Sequence, residues 1–308
     1  MKKLIFITGV AGMVGSNLLG KYINTDNLII GIDSLVLGKK SFLKPFLKKK
    51  NFLFIKKDLS KKLISLKLAD ILNKNKLSEI WLLAANSDIK KGSEDIKVDL
   101  KDTFLSTINS MEFLKNYINN KTKIIFTSSS AIYGKTYSKI SENNTLTQPA
   151  SNYGAMKLAS EAYLSSFSNK YNCKMSVFRF PNVIGKNLTH GLLYDMKNKI
   201  LSKNKYINVL GNGEQQKPYS HVEEIIKCMI FFKNKKSKTK INYFNIGYQE
   251  KGMKVKEIVS IMAQKFKSDK KIIYQKSEVG WIGDVNKYEY STKKINNLGF
   301  NFKINSKK

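Results

Sequence analysis

The first 33 residues constrain the fold more than any other part of the chain. Residues 4–8 form a short apolar, β-branched run of the kind found in buried parallel strands. Three glycines follow with the spacing Gly-x-x-Gly-x-x-Gly and open a predicted helix. A second apolar run, residues 28–32, then ends at Asp33. Strand, glycine turn, helix, strand and acid in this order predict the first unit of a dinucleotide-binding fold.

The chemistry of this unit favours NAD as the ligand. Gly9, Gly12 and Gly15 allow a tight turn, let backbone N–H groups approach a pyrophosphate, and let the helix pack on the strand. A carboxylate at Asp33 can accept both hydroxyls of the adenosine ribose and would repel a 2′-phosphate. The sequence therefore predicts NAD rather than NADP.

Strands and helices alternate through the first 180 residues. Further strands are predicted at 52–55, 80–83, 124–127 and 175–180, and helices at 95–117 and 151–171. This alternation predicts an α/β protein with a Rossmann-type, doubly wound parallel sheet. After Asn182 the pattern loosens, which indicates a smaller C-terminal substrate-binding lobe. We expect residues 1–180 to form the NAD-binding domain, with segments at about 215–247 returning to it, and residues 181–308 to form mainly the lobe.

Composition limits the partners and the compartment. The formal net charge is +32, but the only arginine is Arg179 and the lysines are scattered along the chain. Specific nucleic-acid readers favour arginine on one face, so we expect no nucleic-acid partner. No apolar run approaches the roughly 18 residues that span a bilayer, so we expect no membrane partner. Two distant cysteines and two histidines have no metal-ligand spacing, which predicts no metal site and a reduced, cytoplasmic setting.

Tyr153 and Lys157 carry the strongest catalytic signal. On a helix, residues four apart lie on one face, and an ammonium beside a phenol favours the phenolate. Lys157 is therefore expected to lower the pKa of Tyr153 from about 10 and make it a general base. Ser128, Ser129 and Ser130 end a predicted strand and could hold a substrate hydroxyl against it. Taken alone, the pair also fits an ordinary helix with an exposed tyrosine and a solvated lysine.

The assembled motifs resemble the extended short-chain dehydrogenases/reductases of the NAD-dependent epimerase/dehydratase family, in particular a UDP-glucose 4-epimerase branch. The resemblance covers nearly the whole chain. The motifs that carry it are Thr8-Gly9-x-x-Gly12-x-x-Gly15, Asp33, Asp58-Leu59, Leu83-Ala84-Ala85, Ser128-Ser129-Ser130-Ala131-Ile132-Tyr133-Gly134, Tyr153-x-x-x-Lys157, Arg179-Phe-Pro-Asn182-Val-Ile-Gly185, Thr189-His190-Gly191, Lys217-Pro-Tyr219-Ser-His221-Val and Gly280-Trp-Ile-Gly-Asp284.

The resemblance implies a set of binding residues. For NAD they are Gly9, Gly12, Met13, Val14, Gly15, Asp33, Asp58, Leu59, Leu83, Ala84, Ala85, Ser128, Tyr153, Lys157 and Pro181. For the substrate they are Asn86, Ser130, Asn182, His190, Lys217, Tyr219, Trp281 and Asp284. For Ala84 and Ala85 simple core packing is an equal alternative, for Asn182 a strand-end cap, and for Trp281 a place in the core.

The resemblance also implies a reaction. In 4-epimerases a residue at the Ser129 position hydrogen-bonds the 4-hydroxyl of the sugar, Tyr153 would take its proton, and Lys157 would hold the nicotinamide ribose. The expected activity is inversion of C4 of a UDP-hexose, UDP-glucose/galactose or the N-acetyl forms, through a transient 4-keto sugar. The related 4,6-dehydratases carry an acidic pair where this chain has Ser130 and Ala131, which disfavours them.

Alternatives to the epimerase are a 4-ketosugar reductase or, less favoured, a 4,6-dehydratase, and last a non-catalytic NAD-sensing protein. Many relatives bind the diphosphate with arginines where this chain has Lys217 and Trp281. Lysine can neutralise a phosphate there only as a point charge, without the bidentate geometry of arginine. UDP is the leading nucleotide. The family also usually dimerises through helices that correspond to 95–117 and 151–171, so we expect a homodimer.

Overall fold

The chain forms a parallel sheet covered by helices on both faces, together with a smaller group of further elements. The computed structural model describes residues 1–135, 139–144, 146–281, 284–285, 287–289 and 291–306. The strands are β1 (Lys3–Thr8), β2 (Leu28–Asp33), β3 (Phe52–Lys56), β4 (Lys76–Leu82), β5 (Lys123–Ser129), β6 (Lys174–Phe180), β7 (Asn182–Ile184), β8 (Tyr206–Val209), β9 (Gln216–Lys217), β10 (Tyr219–His221), β11 (Ile241–Asn245), β12 (Met253–Lys254) and β13 (Lys271–Tyr274).

The helices follow the predicted alternation. They are α1 (Met13–Tyr22), α2 (Leu66–Lys74), α3 (Ile89–Glu94), α4 (Ile96–Asp99), α5 (Ser106–Leu114), α6 (Asn152–Tyr171), α7 (Leu192–Leu201), α8 (Val222–Lys233), α9 (Val255–Lys265) and α10 (Lys293–Asn297). The helix expected over 95–117 is divided: a π-helical segment, Leu100–Leu105, joins α4 to α5, and a 3₁₀ turn, Lys115–Tyr117, ends it. Mid-helix π turns often mark functional sites.

The central sheet has the strand order β11-β6-β5-β4-β1-β2-β3, and every pairing within it is parallel. The chain order reverses between β1 and β4. Ligands of doubly wound sheets bind at this switch point, beyond the carboxyl ends of the strands. The predicted Rossmann-type α/β fold is therefore confirmed.

Two apolar layers hold the helices on the sheet. On one face, α1 and α8 pack with Phe302 and Ile295 in a buried cluster that includes Trp81. On the other face, the buried side chains of α2, α5 and α6 form a second cluster around Phe126. The α8 segment and β11 come from beyond residue 215, so the chain returns to the sheet after leaving it.

The remaining elements form a third cluster, which includes Met196, Ile207 and Val259. Three short strand pairs, β7–β10, β9–β12 and β8–β13, support this part of the molecule. The division at residue 180 into two domains stays a prediction. The lysine-rich connection at 39–50 contains a 3₁₀ turn, Lys40–Leu43, that buries Leu43 completely.

Candidate active site

The glycine turn after β1 is built around close backbone approach. Gly9 has φ +69°, and a Cβ atom there would lie within 2.9 Å of the backbone of Leu83 and Ala84. A Cβ atom on Gly15 would lie 2.2 Å from the carbonyl oxygen of Gly9. Both positions therefore require glycine, because a side chain would push the turn away from β4 or from α1.

The Thr8 hydroxyl fixes the switch point of the sheet. Its oxygen accepts hydrogen bonds from the backbone N–H groups of Leu83 (3.0 Å) and Ala84 (3.1 Å), beyond the end of β4. These contacts hold the turn after β1 against the loop after β4. The result is a concave backbone surface that suits a pyrophosphate.

Asp33 ends β2 with its carboxylate beside the glycine turn. Its oxygens accept backbone hydrogen bonds from Ala11 (2.9 Å) and Leu35 (2.8 Å), and the residue is buried. Burial raises the pKa of this carboxyl, and the two backbone hydrogen bonds oppose that rise. A carboxylate has further lone pairs after two hydrogen bonds, so Asp33 can still accept from ribose hydroxyls.

One cleft of about 670 Å³ collects nearly all the predicted residues. We call its first part the cofactor half; it includes Gly9, Gly12, Met13, Val14, Gly15, Asp33, Asp58, Leu59, Leu83, Ala84, Ala85, Ser128, Ser129, Tyr153, Lys157 and Pro181. The hydroxyl of Ser128 is buried there without a hydrogen-bond partner among the described residues. An orphaned polar atom in a glycine-lined cleft fits a dinucleotide that brings its own polar groups.

Ser129 and Tyr153 meet at the carboxyl end of β5. The Ser129 oxygen accepts a hydrogen bond from the N–H of Ala131 (3.1 Å), and the Ser129 side chain is also hydrogen-bonded to the Tyr153 phenol. The two hydroxyl groups can therefore share one substrate hydroxyl. Ser151 begins α6 by accepting from the N–H of Gly154 (3.1 Å), which fixes the first turn of the helix that carries Tyr153.

Lys157 lies one helical turn after Tyr153 and is buried. Its ammonium donates to the carbonyl oxygen of Thr127 (2.6 Å) and lies 5.8 Å from the centroid of the Tyr153 ring. Burial lowers the pKa of Lys157 to about 7, against the opposing effect of the Glu161 and Asp99 carboxylates. Lys157 therefore gives up its proton more readily than an exposed lysine.

The net pKa of Tyr153 is not lowered, in contrast to what the Tyr-x-x-x-Lys spacing predicts. The pKa of Tyr153 is raised, first by burial and then by the nearby Asp99 carboxylate, while the hydrogen bond to Ser129 lowers it. The physical reason is desolvation: a phenolate loses its water in this closed site, and the Lys157 ammonium donates to the main chain rather than to the phenol oxygen.

The second part of the cleft, which we call the distal half, carries the predicted substrate residues. They are Ser130, Asn182, His190, Lys217, Tyr219, Trp281 and Asp284. The ammonium of Lys217 pairs with the buried Asp284 carboxylate and lies 5.0 Å from the centroid of the Trp281 ring. Of the motif at 280–284, Ile282 and Gly283 lie outside the described residues.

Three more predicted residues have hydrogen-bond partners in the distal half. Ser130 shares a hydrogen bond with the Tyr288 phenol (3.2 Å), and His190 Nδ1 with the Thr189 hydroxyl (2.9 Å). Burial lowers the pKa of His190, which favours its neutral form. Asn182 Nδ2 donates weakly to the Pro218 carbonyl (3.5 Å). Asn182 is the first residue of β7 and also lines the cleft.

Asn86 is not among the residues that line the cleft. It is buried, and its amide donates to the Asp99 carboxylate (2.7 Å) and to the Asp88 carbonyl (3.0 Å). The substrate contact predicted for Asn86 is therefore not supported by its position. Its neighbours Ser87 and Asp88 line the cleft instead.

Sequence reasoning also missed Tyr288 and Asp99. Tyr288 is buried beside Ser130, with its pKa raised to about 12 by burial, and no local motif marks it. Asp99 is wholly buried and influences both Tyr153 and Lys157. In the sequence, Asp99 is marked only by its place in the helix predicted over 95–117, and the sequence pattern does not reveal the π turn of that helix.

The described residues contain neither a metal-binding cluster nor a membrane-spanning helix. No group of three or more His, Cys, Asp or Glu side chains there is arranged to hold a metal ion. No helix in the same residues combines the length and apolar character needed to cross a bilayer. Cys173 and Cys228 are both free and buried.

The fold and the cofactor half define an extended short-chain dehydrogenase/reductase. A family model described as the NAD dependent epimerase/dehydratase family matches residues 5–247, well over half of the chain. The chain belongs to this family, and NAD is its cofactor.

Individual relatives share the architecture over almost their whole length. The chain is 27% identical over 310 residues to a putative UDP-glucose 4-epimerase of Methanocaldococcus jannaschii, covering 99% of this chain and 95% of that protein. A UDP-N-acetylglucosamine 4-epimerase of Methanobrevibacter ruminantium, solved with UDP-N-acetylmuramic acid, matches with a TM-score of 0.81 at 24% identity, over 98% and 94% of the two chains. A UDP-glucuronic acid 4-epimerase of Bacillus cereus, solved with UDP-glucuronic acid and NAD, matches with a TM-score of 0.83 at 21% identity, over 96% and 92%.

Proposed function

We propose that this protein is an NAD-dependent nucleotide-sugar 4-epimerase that inverts C4 of a UDP-hexose through a transient 4-keto sugar. The observation that carries the proposal is the meeting of Ser129, Tyr153 and Lys157 at one point of the cleft that also contains the glycine turn. The related proteins named above are described as 4-epimerases of three different UDP-sugars, which supports the reaction and leaves the sugar open.

The protein's own residues handle the proton of the reaction. Bound NAD supplies the oxidation of the sugar carbon and its later reduction. The Ser129 hydroxyl would orient the 4-hydroxyl of the sugar, and the Tyr153 phenolate would take its proton and later return it. Lys157 would stabilise that phenolate by charge from one turn further along α6. Because the pKa of Tyr153 is raised by burial, this stabilisation is needed for the base to work near neutral pH.

The residues that follow Ser129 argue against a dehydratase. Elimination of water needs an acid and a base near C5 and C6. At the two positions after Ser129, where the related 4,6-dehydratases carry an acidic pair, this chain has Ser130 and Ala131. Ser130 is engaged with the Tyr288 phenol, whose raised pKa keeps it neutral. A 4-ketosugar reductase would use the same three residues, so it stays the second candidate. The reductase differs from the epimerase in that NAD leaves the protein after each turnover.

The distal half offers a basic contact to an anionic nucleotide. Lys217 lines the cleft and neutralises the buried Asp284 carboxylate. A diphosphate would compete with Asp284 for this ammonium, and Trp281 would form one wall. We propose UDP as the nucleotide and a glucose/galactose pair, or its N-acetyl forms, as the sugar.

The test is conversion without added cofactor. Purified protein is incubated separately with UDP-glucose, UDP-N-acetylglucosamine and UDP-glucuronate, and the products are separated from their 4-epimers. We expect the galacto-epimer of one of the first two sugars, with bound NAD retained. Protein that needs added NADH and a 4-keto sugar would be a reductase, and conversion of UDP-glucuronate alone would correct the proposed sugar.

We also propose a homodimer formed through the segments 95–117 and 151–171. Ile96 and Leu100 are large apolar side chains that are 59% and 40% exposed on the first segment. Burying such side chains against a second copy is favourable. Light scattering on the purified protein is expected to give twice the mass of the chain, and a monomer mass would contradict this proposal.

A further inference from the structure

Asp99 is a buried carboxylate that lacks a full set of partners. It is the last residue of α4, immediately before the π-helical segment, and it is 0% exposed. Its Oδ1 accepts from the Asn86 amide (2.7 Å), and its Oδ2 has no hydrogen-bond partner among the described residues. Burying an ionised carboxylate is costly unless a charge compensates it, so this position calls for a physical explanation.

The surroundings place Asp99 beside the first turn of α6. The backbone of Gly92 lies against its carboxylate, where a Cβ atom would come within 1.9 Å of Oδ2. The Gly92 carbonyl accepts from the side chain of Asn152 (3.0 Å), the residue before Tyr153. Helix α3 therefore joins the Asp99 carboxylate to the turn that carries the proposed base.

Among the charged groups that face Asp99, one is a cation. Asp102 on the π-helical segment and Asp88 before α3 are carboxylates that repel it. From α6 it faces the Lys157 ammonium, which attracts it, and the Tyr153 phenol. Lys157 is thus the cation in this group that can compensate the buried charge.

Glu161 is the other carboxylate that acts on Lys157, and it is already paired. Arg179 donates to both of its oxygens, from Nε (3.0 Å) and from Nη2 (2.6 Å). Such a bidentate pair neutralises the glutamate and fixes its geometry. Asp99 has no equivalent partner for its Oδ2 among the described residues. Burial raises the pKa of its carboxyl, and the Asn86 amide and the Lys157 ammonium oppose that rise. Asp99 is thus the carboxylate in this group that acts on both Tyr153 and Lys157.

We propose that Asp99 is a positioning residue that sets the pH range of the Tyr153–Lys157 pair through the charge of its carboxylate, without touching substrate or NAD. The proposal rests on the function proposed above for that pair. A negative charge beside two groups raises the proton affinity of both, so Asp99 favours the charged form of Lys157 and delays the ionisation of Tyr153. The two titrations are coupled and belong to the pair.

The deciding experiment is the pH dependence of kcat in the Asp99→Asn variant of the full holoenzyme. Removing the charge while keeping the shape should move both limbs of the profile to lower pH, by about one unit. Asp70→Asn is the matched control, because it removes one carboxylate charge from an exposed position on α2 and should leave the profile in place. A rate that falls by the same factor at every pH, or a profile that does not move, would overturn the proposal.

Two further measurements keep the proposal testable. If Asp99→Asn does not fold, Asn86→Ser removes the hydrogen bond that stabilises the Asp99 carboxylate and should move the profile the same way by less. The phenolate absorbance of Tyr153, taken as the difference between the protein and its Tyr153→Phe form, needs no substrate. It should titrate at lower pH in Asp99→Asn even if no UDP-sugar is converted, and an unmoved titration would contradict the role of Asp99.

Discussion

The two halves of the cleft are built in different ways. The cofactor half lies on the carboxyl ends of adjacent strands, and its side chains are fixed by short contacts such as Thr8 to the loop after β4 and Lys157 to Thr127. The distal half joins short strand pairs from distant parts of the chain, and its main basic group, Lys217, is balanced by Asp284. The comparison teaches that the proposed chemistry depends on neighbouring strand ends of one sheet, while the proposed binding of a sugar nucleotide depends on side chains that meet from distant segments.

The largest effect is expected from Tyr153→Phe, which removes the proposed base from the cofactor half. Loss of a general base should reduce kcat by roughly 10² to 10⁴-fold. NAD should remain bound, because the glycine turn and Asp33 are intact; kcat and extracted NAD are the two measurements. Tyr163→Phe, on the same helix with its hydroxyl at Glu112, is the control and should keep full activity. Turnover equal to wild type in Tyr153→Phe would remove the base from the mechanism.

Gly15→Ala tests whether the cofactor half is as tightly built as its contacts indicate. The added methyl would lie 2.2 Å from the Gly9 carbonyl oxygen, so the turn must open. We expect NAD to be lost on purification and the free energy of unfolding to fall by about 1–3 kcal/mol.

Gly20→Ala is a matched control for that substitution on the same helix. Its methyl would meet Phe46 at 3.7 Å, an ordinary contact, and Gly20 is exposed. Replacing a helical glycine there should raise stability by about 0.5–1 kcal/mol. If the two substitutions changed the free energy of unfolding equally in denaturant, the close packing of the glycine turn would be contradicted.

Lys217→Ala probes the distal half and should separate binding from chemistry. Loss of the ammonium removes the basic contact and leaves the buried Asp284 carboxylate unpaired. Hydrogen bonds to charged groups contribute about 1.5–3 kcal/mol, so KM for the sugar nucleotide should rise by roughly ten- to a hundredfold. We expect kcat to change much less, and Lys217→Arg to restore the KM. A fall in kcat at constant KM would assign Lys217 to the chemistry instead.

The smallest effect is expected from Arg179→Lys, beneath the cofactor half. Arg179 is the only arginine among 55 Lys and Arg residues, and it binds Glu161 with two donors and Tyr133 with a third (2.9 Å). Lysine cannot reproduce this planar arrangement, so unfolding should become easier by about 1 kcal/mol.

Its control is the same type of exchange at an exposed ion pair. Lys74→Arg, beside Asp70 on α2, should change stability by less than about 0.5 kcal/mol. The midpoint of chemical unfolding measures both variants. An Arg179→Lys protein as stable as wild type would show that the charge alone is enough at this position.

The sequence predicted what depends on local spacing. The unit of β1, glycine turn, α1, β2 and Asp33 follows one short pattern, and Tyr153 and Lys157 are related by helical periodicity. The sequence did not reveal contacts between distant segments, such as Ser130 with Tyr288 or Lys217 with Asp284.

Burial is the second property of the site that the sequence pattern does not predict. The direction of the Tyr153 pKa depends on how completely the site excludes water, which spacing alone does not reveal. The family resemblance implied a substrate contact for Asn86, but its amide donates instead to the buried carboxylate of Asp99. Both differences come from the packing of helices on the sheet.

The late return of the chain to the sheet has a consequence for synthesis. The edge strand β11 pairs with β6 only after residue 240 has been made, and Ile295 and Phe302 complete the apolar layer over α1 later still. A ribosome-bound chain that has released only its first half therefore exposes an unpaired strand edge and part of an uncovered core. Such intermediates are prone to aggregate, so we expect the first half of the chain to depend on the last part for a covered core and a paired sheet edge.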